Sequence, residues 1–395
     1  MEERPRFDYE AAFERAADRA SRQLCDLLRE AETSPALLAE LLDLPPAHRV
    51  ERARNDSRFQ NLKLCELLQA QARRVWTDDP VAAVQLAHLA VEIAGRCDTA
   101  RFGRSLTEDS RAVAWAYLGN AYRVASDLRR AEEALRIAQE HHHLAGEDAF
   151  TEAEILGFTA SLRKAQGRFE EAVQLLDRTI RLYRAGKDRH LEGRALIKKG
   201  TVLGDAAQFR EAIQCLRRGL SLIDSESAPG LVLAAWHNLT WCLNECGGHT
   251  EAQEALEASR RLYYDLGDRM YLARLSWLEG RIAWAFGRQD EAEATLREAR
   301  GNFIERGIGF DAAMVSLDLA MLYAQRGDHE RVKRLAAEMV PIFESRDVHH
   351  NALAALLMFR EAAEAERVTL GFLDQIASYL KRTRRNPEMR FEVEG

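Results

Sequence analysis

Along most of this chain apolar residues return every three or four positions, the spacing of one helix face, in runs broken by short turns. Aligning each turn with the small residue that follows it brings six segments into one register. They are SDLRRAEEAL (126–135), GRFEEAVQLL (167–176), AQFREAIQCL (207–216), GGHTEAQEAL (247–256), GRQDEAEATL (287–296) and GDHERVKRLA (327–336). Their small positions, Ala131, Ala172, Ala212, Ala252, Ala292 and Val332, lie 41 residues apart once and 40 apart four times. A fixed period of this length marks a repeat array, in which each unit buries its apolar face only against its neighbours.

Each block predicts two helices. A first apolar-periodic helix ends at Gly or another small residue, and Gly167, Gly247, Gly287 and Gly327 can take the left-handed conformation that such an ending needs. Glu170, Glu171, Glu211, Glu251 and Glu291 then open the second helix, where they favour its dipole. A second turn carrying Asp, as in GKDRH (186–190), LGDRM (266–270) and IGFDA (308–312), supplies an N-cap for the next block.

The first clear copy reads Trp115, Leu118, Gly119, Tyr122, Ala131, Leu135 and Ala138, which resembles the tetratricopeptide signature. Trp236, Leu239, Leu243, Gly247, Ala252 and Leu256 repeat much of it, as do Gly280, Gly287, Ala292, Leu296 and Ala299. The period departs from the family's usual 34 and overlaps that of HEAT and armadillo arrays. The signature residues favour tetratricopeptide repeats with lengthened helices, similar to the arrays of bacterial regulators and peptide receptors. The resemblance implies an all-α, right-handed superhelical solenoid of antiparallel helix hairpins. It divides the chain into an N-terminal helical segment (1–58), a solenoid (59–382) and a tail (383–395). Within the solenoid, a degenerate hairpin (60–95) turning at Asp78, Asp79 and Pro80 precedes six repeats (112–345) and a capping hairpin (347–382). Ahead of the array, residues 8 to 31 read as one amphipathic helix, with new helix starts at Ser34-Pro35 and Pro45-Pro46.

Charge narrows the function. A formal net charge of -7, with no basic block, argues against general nucleic-acid binding. The six cysteines lack a repeating spacing, which fits reduced, buried thiols and a cytoplasmic setting. The charged N-terminus and the absence of a long apolar run disfavour secretion and membrane insertion. The strong preference for Arg over Lys suggests a bacterial genome.

The resemblance implies that positions two, five, nine and twelve of each first helix, with the adjacent sixth, line a concave groove. The groove set is Asn120, Arg123, Lys164, Arg194, Lys198, His237, Asn238, Trp241, Asn244, Arg274, Trp277, Arg281 and Trp284. Trp and Arg dominate binding hot spots, Asn can clamp an extended backbone, and several Arg suit acidic side chains or a C-terminal carboxylate. A competing reading makes Trp241, Trp277 and Trp284 core, as Trp115 and Trp236 are expected to be.

Enzyme chemistry finds little support. His141-His142-His143 point in different directions on a helix and read as a solvated end, and Cys242, Cys246 and His249 lack a fourth zinc ligand. His349-His350 reads as a polar cap. No phosphate loop, GxSxG or HExxH is present. The expectation is a non-enzymatic adaptor or regulator without cofactor or metal, holding a protein or peptide segment in its groove, with an end-to-end homodimer compatible. The alternative is a ligand-sensing regulator in which a small peptide or metabolite changes solenoid shape. A hydrolase, or an RNA strip built on Arg194, Lys198, Arg274, Trp277 and Arg281, ranks behind both.

Overall fold

The computed structural model describes residues 9–76, 78–146, 148–344, 350–365 and 367–383. Among them are nineteen α-helices, one 3-10 turn and no strand. The chain divides into two compact units, Met1–Leu162 and Arg163–Gly395.

Unit 1 begins with α1 (Tyr9–Leu42) and α2 (Pro46–Asn55), followed by the hairpin of α3 (Leu62–Val75) and α4 (Pro80–Arg96). A short α5 (Thr99–Phe102) leads to a second hairpin, α6 (Arg104–Val124) and α7 (Leu128–Ala145), and to α8 (Ala149–Ala165), which continues across the unit boundary. The turn expected at Asp78 to Pro80 is present, with Asp79 capping α4. The helix break expected at Ser34-Pro35 is not, because α1 runs through Pro35. Pro35 has no N–H to donate to the preceding turn. There the hydroxyls of Thr33 and Ser34 bond back to the carbonyls of Arg29 and Glu30, and the buried Glu30 carboxylate accepts from Leu62 N–H at 2.8 Å, fastening α1 to the start of α3.

Unit 2 continues with α9 (Phe169–Ala185), α10 (Arg189–Asp205), α11 (Phe209–Leu220), α12 (Pro229–Glu245), α13 (His249–Leu266), α14 (Arg269–Ala285), α15 (Gln289–Glu305), α16 (Gly309–Gln325) and α17 (His329–Glu344). Its last two helices are α18 (His350–Glu364) and α19 (Leu370–Thr383). The repeating turn residues share one backbone state. Ser126, Gly167, Ala207, Gly247, Gly287 and Gly327 all have φ between 59° and 82°, so the chain ends each first helix in the same left-handed way even where Ala or Ser stands in for Gly. Asp188 and Asp268 cap α10 and α14 as expected, whereas Asp311 lies inside α16, whose N-cap position is Ile308.

Packing within a hairpin turns on small residues. A Cβ on Gly200 would lie 2.6 Å from Leu216 Cγ, and one on Gly280 would lie 2.7 Å from Leu296 Cγ, so the two helices approach at a distance only glycine allows. Ala131, Ala172, Ala212, Ala252 and Ala292 are fully buried, and Val332 nearly so. His349 and the expected tail, apart from Thr383, lie outside the described residues.

Candidate functional site

In unit 2 the first helices α10, α12, α14 and α16 lie side by side, each touching the next. Residues of the expected groove set fall on this layer, and several of them spend their polar atoms on a neighbouring first helix. Asn238 donates to Thr201 Oγ1 at 3.2 Å. Arg281 reaches back to Glu245 at 2.6 Å and lies 3.9 Å from Asp318. Trp277 Nε1 donates to Asp318 at 2.6 Å, and Trp284 Nε1 donates to Gln325 at 2.8 Å. Lys164, in the last turn of α8, pairs with Asp205 at 2.9 Å. These bonds join residues about one repeat apart, so they staple the layer together.

Around Trp241 the layer is crowded. The Arg281 guanidinium lies 4.2 Å from its ring centre and Trp277 meets it edge-on at 5.7 Å, while Lys381 of α19 approaches to 5.3 Å. Trp277 in turn packs on Phe303. Trp241, Trp277 and Trp284 are thus half-buried, neither open groove nor full core. Burial by itself would depress the Arg281 guanidinium, but Asp318, Glu245 and Asp374 together outweigh it and hold its proton more firmly than usual.

The other end of the layer differs. His237 Nδ1 sits 3.1 Å from the Tyr263 hydroxyl, and burial, reinforced by the nearby Arg274, pushes its pKa down to about 3, so the imidazole is neutral. Burial likewise raises the Tyr263 phenol. Arg194 on α10 and Arg274 on α14 are half-buried and have no carboxylate partner among the described residues. Lys198, one turn after Arg194 on α10, is half-buried too, and Asn244 is bonded to His249 at 2.9 Å.

Asn120 and Arg123 belong to unit 1, where the buried Asn120 accepts from Arg123 at 2.9 Å and burial depresses the guanidinium. The histidine run is not a solvated end. His141 bonds Glu108 at 2.6 Å, and His142 is 5% exposed and lies 4.0 Å from Asp109, because both face α6. Cys242 is buried, with its thiol pushed up to about 12 by that burial, while Cys25 and Cys246 are exposed against the expectation of buried thiols. Among the described residues no three His, Cys, Asp or Glu side chains converge to hold a metal ion. No described helix is long and apolar enough to cross a membrane.

Glu245, Asp318, Gln325, Tyr263 and Lys381 went unnoticed in the sequence. The first three were signalled by their spacing of 36 to 41 residues from Arg281, Trp277 and Trp284.

Residues 151–225 match the tetratricopeptide repeat family model. The fold is a tetratricopeptide-type solenoid of helical hairpins. Its relatives among solved structures extend over most of the chain. The array superimposes on a Rap protein complexed with competence and sporulation factor at TM-score 0.61, with 11% identity over 82% of this chain and 88% of that one. It matches aspartyl phosphate phosphatase F from Bacillus subtilis at TM-score 0.53, with 11% identity over 93% and 97% of the two chains. It matches the apo form of RapI at 0.50, with 14% identity over 71% and 99%. The sequence of the array matches no curated protein.

Proposed function

We propose that this chain is a non-enzymatic regulator that binds a protein or peptide segment on the first-helix layer of unit 2, at the stretch bounded by Arg194 and Arg274. The observation that carries this reading is the pair of half-buried guanidiniums without a carboxylate partner among the described residues, in a layer where Lys164, Lys199 and Arg281 each have one. A partly desolvated cation left unpaired costs stability, and a partner's carboxylate would supply the missing charge-assisted hydrogen bonds. The neutral His237 between them adds no competing charge. A Rap protein of like fold holds competence and sporulation factor, which supports the same use of the fold here.

The test is quantitative affinity capture from the source cell with the wild-type chain and with Arg194→Ala/Arg274→Ala, both checked for helical content. Loss of one partner from the folded variant is the expected result. Equal recovery by both chains would remove this stretch as the binding face.

A further inference from the structure

The last helix does not stack as the repeats before it do. In the array each first helix lies against the next, as α10 does on α12 and α12 on α14, yet α16 is met chiefly by α19. Helix α19 buries Leu373, Ile376, Tyr379 and Leu380 in a core shared with α16, α17 and α18, and half-buried Trp277 and Phe372 pack against the same core. Its polar residues reach further. Asp374 is close enough to act on the charge of Arg281 on α14, and Lys381 lies over the ring of Trp241 on α12. Seven residues separate Asp374 from Lys381, two turns on one helix face and about 10 Å of rise, which matches the usual distance between packed helices. The acid and the base of α19 therefore fall on successive first helices.

The chemistry under α19 is specific. Arg281 is flanked by Glu245 and Asp318, so the surface offers one cation, two carboxylates and two indoles. Such a surface favours a cation above Trp241, where cation–π attraction and the nearby carboxylates act together. It favours an acid beside Arg281 one helix further on. An apolar ridge fills the space between.

We infer that the face formed by α12, α14 and α16 is a helix-docking groove that holds α19 at rest and accepts, in exchange, a partner's amphipathic helix carrying Asp or Glu and, seven residues later, Lys or Arg on its apolar edge. Exchange requires the incoming helix to present an apolar face as well, which remakes the packing that α19 gives up against α16, α17 and α18. This inference rests on the reading of the first-helix layer as the binding face. Its test uses neither Arg194 nor Arg274, so the two fail separately.

The probe is a fluorescent peptide of residues 367–383, measured by anisotropy against the full chain and against full-chain Lys381→Glu, which loses the contact with Trp241 and sets a carboxylate near Glu245. The peptide is expected to bind the variant about ten-fold more tightly than wild type, the scale of one cation–π contact turned repulsive. A peptide with both charges exchanged, Asp374→Lys and Lys381→Glu, is expected to lose that gain. Binding to neither chain, or binding indifferent to the peptide's charges, overturns the inference. Hydrogen exchange on the wild-type chain is the independent check, since Lys381→Glu can fail to fold. Amides of α19 are expected to open about ten-fold more often than those of α14, as a separate local unit. Equal protection would make α19 a fixed part of the core and end the proposal.

Discussion

Within the first-helix layer of unit 2, the stretch holding Arg194, His237 and Arg274 and the stretch holding Trp241, Trp277 and Arg281 share helices α12 and α14 but treat charge in opposite ways. In the second, Arg281 is 15% exposed, paired with Glu245 and Asp318, stacked on Trp241 and faced by α19. In the first, two guanidiniums of similar setting have no carboxylate partner among the described residues, and the imidazole between them is kept neutral. The same residue type thus serves as an internal staple in one place and as an unmet binding group in the other. What separates them is whether an acid of the neighbouring repeat meets the guanidinium, as Glu245 and Asp318 meet Arg281.

The largest effect that would break this contrast is on Arg281. Arg281→Ala leaves Glu245 and Asp318 with uncompensated, mostly buried charge and is expected to cost about 3 kcal/mol or more, read from urea unfolding. A cost near zero would mean that the pairing is incidental. Next come the scaffold glycines. Gly200→Ala in the open stretch and Gly280→Ala in the filled one face similar Leu contacts and are each expected to cost about 1–3 kcal/mol. A clear difference between the two would show that the stretches differ in backbone and not only in charge.

His237 gives the contrast a pH dependence. Its folded pKa of about 3 lies below the ordinary 6.5, so the unfolded chain takes up the proton first. Its contribution is complete above pH 6.5 and is lost as pH falls toward 3, with a slope of at most about 1.4 kcal/mol per pH unit. His237→Gln should flatten that part of the stability profile, and an unchanged profile would place the titrating group elsewhere. A smaller gain is expected at the turn. Ala207 holds φ 59° where four equivalent positions have Gly, so Ala207→Gly should stabilise by about 1 kcal/mol. The smallest effect belongs to Arg274→Ala, which breaks no ion pair and is expected to stay within about 0.5 kcal/mol of wild type. A large loss would show that Arg274 has a structural partner.

Much of the scaffold was legible because its signals are local and repeated. The turn positions from Ser126 to Gly327, the buried Ala series and the Asp caps at 188 and 268 each follow from one residue's conformational or capping preference. Asp311 misled because the N-cap position of α16 falls three residues before it, at Ile308. Pro35 misled because α1 is held there by a tertiary contact, Leu62 N–H donating to the buried Glu30 carboxylate, which propensity does not register. At the candidate site the residue types were visible, but their partners were not. Nothing in the local sequence around Arg281 distinguishes it from Arg274. Pairing depends on Glu245 and Asp318 in adjacent repeats, and the approach of Lys381 depends on a terminal helix that leaves the repeat pattern. The His141–Glu108 and His142–Asp109 contacts were hidden for the same reason, since they join side chains 33 residues apart.

Hydrogen exchange of the full chain, with and without a partner recovered by affinity capture, probes the binding face most directly. Added protection on α10, α12 and the first turns of α14, around Arg194, His237 and Arg274, is the expected result. Protection confined to other helices, with these unchanged, would contradict it.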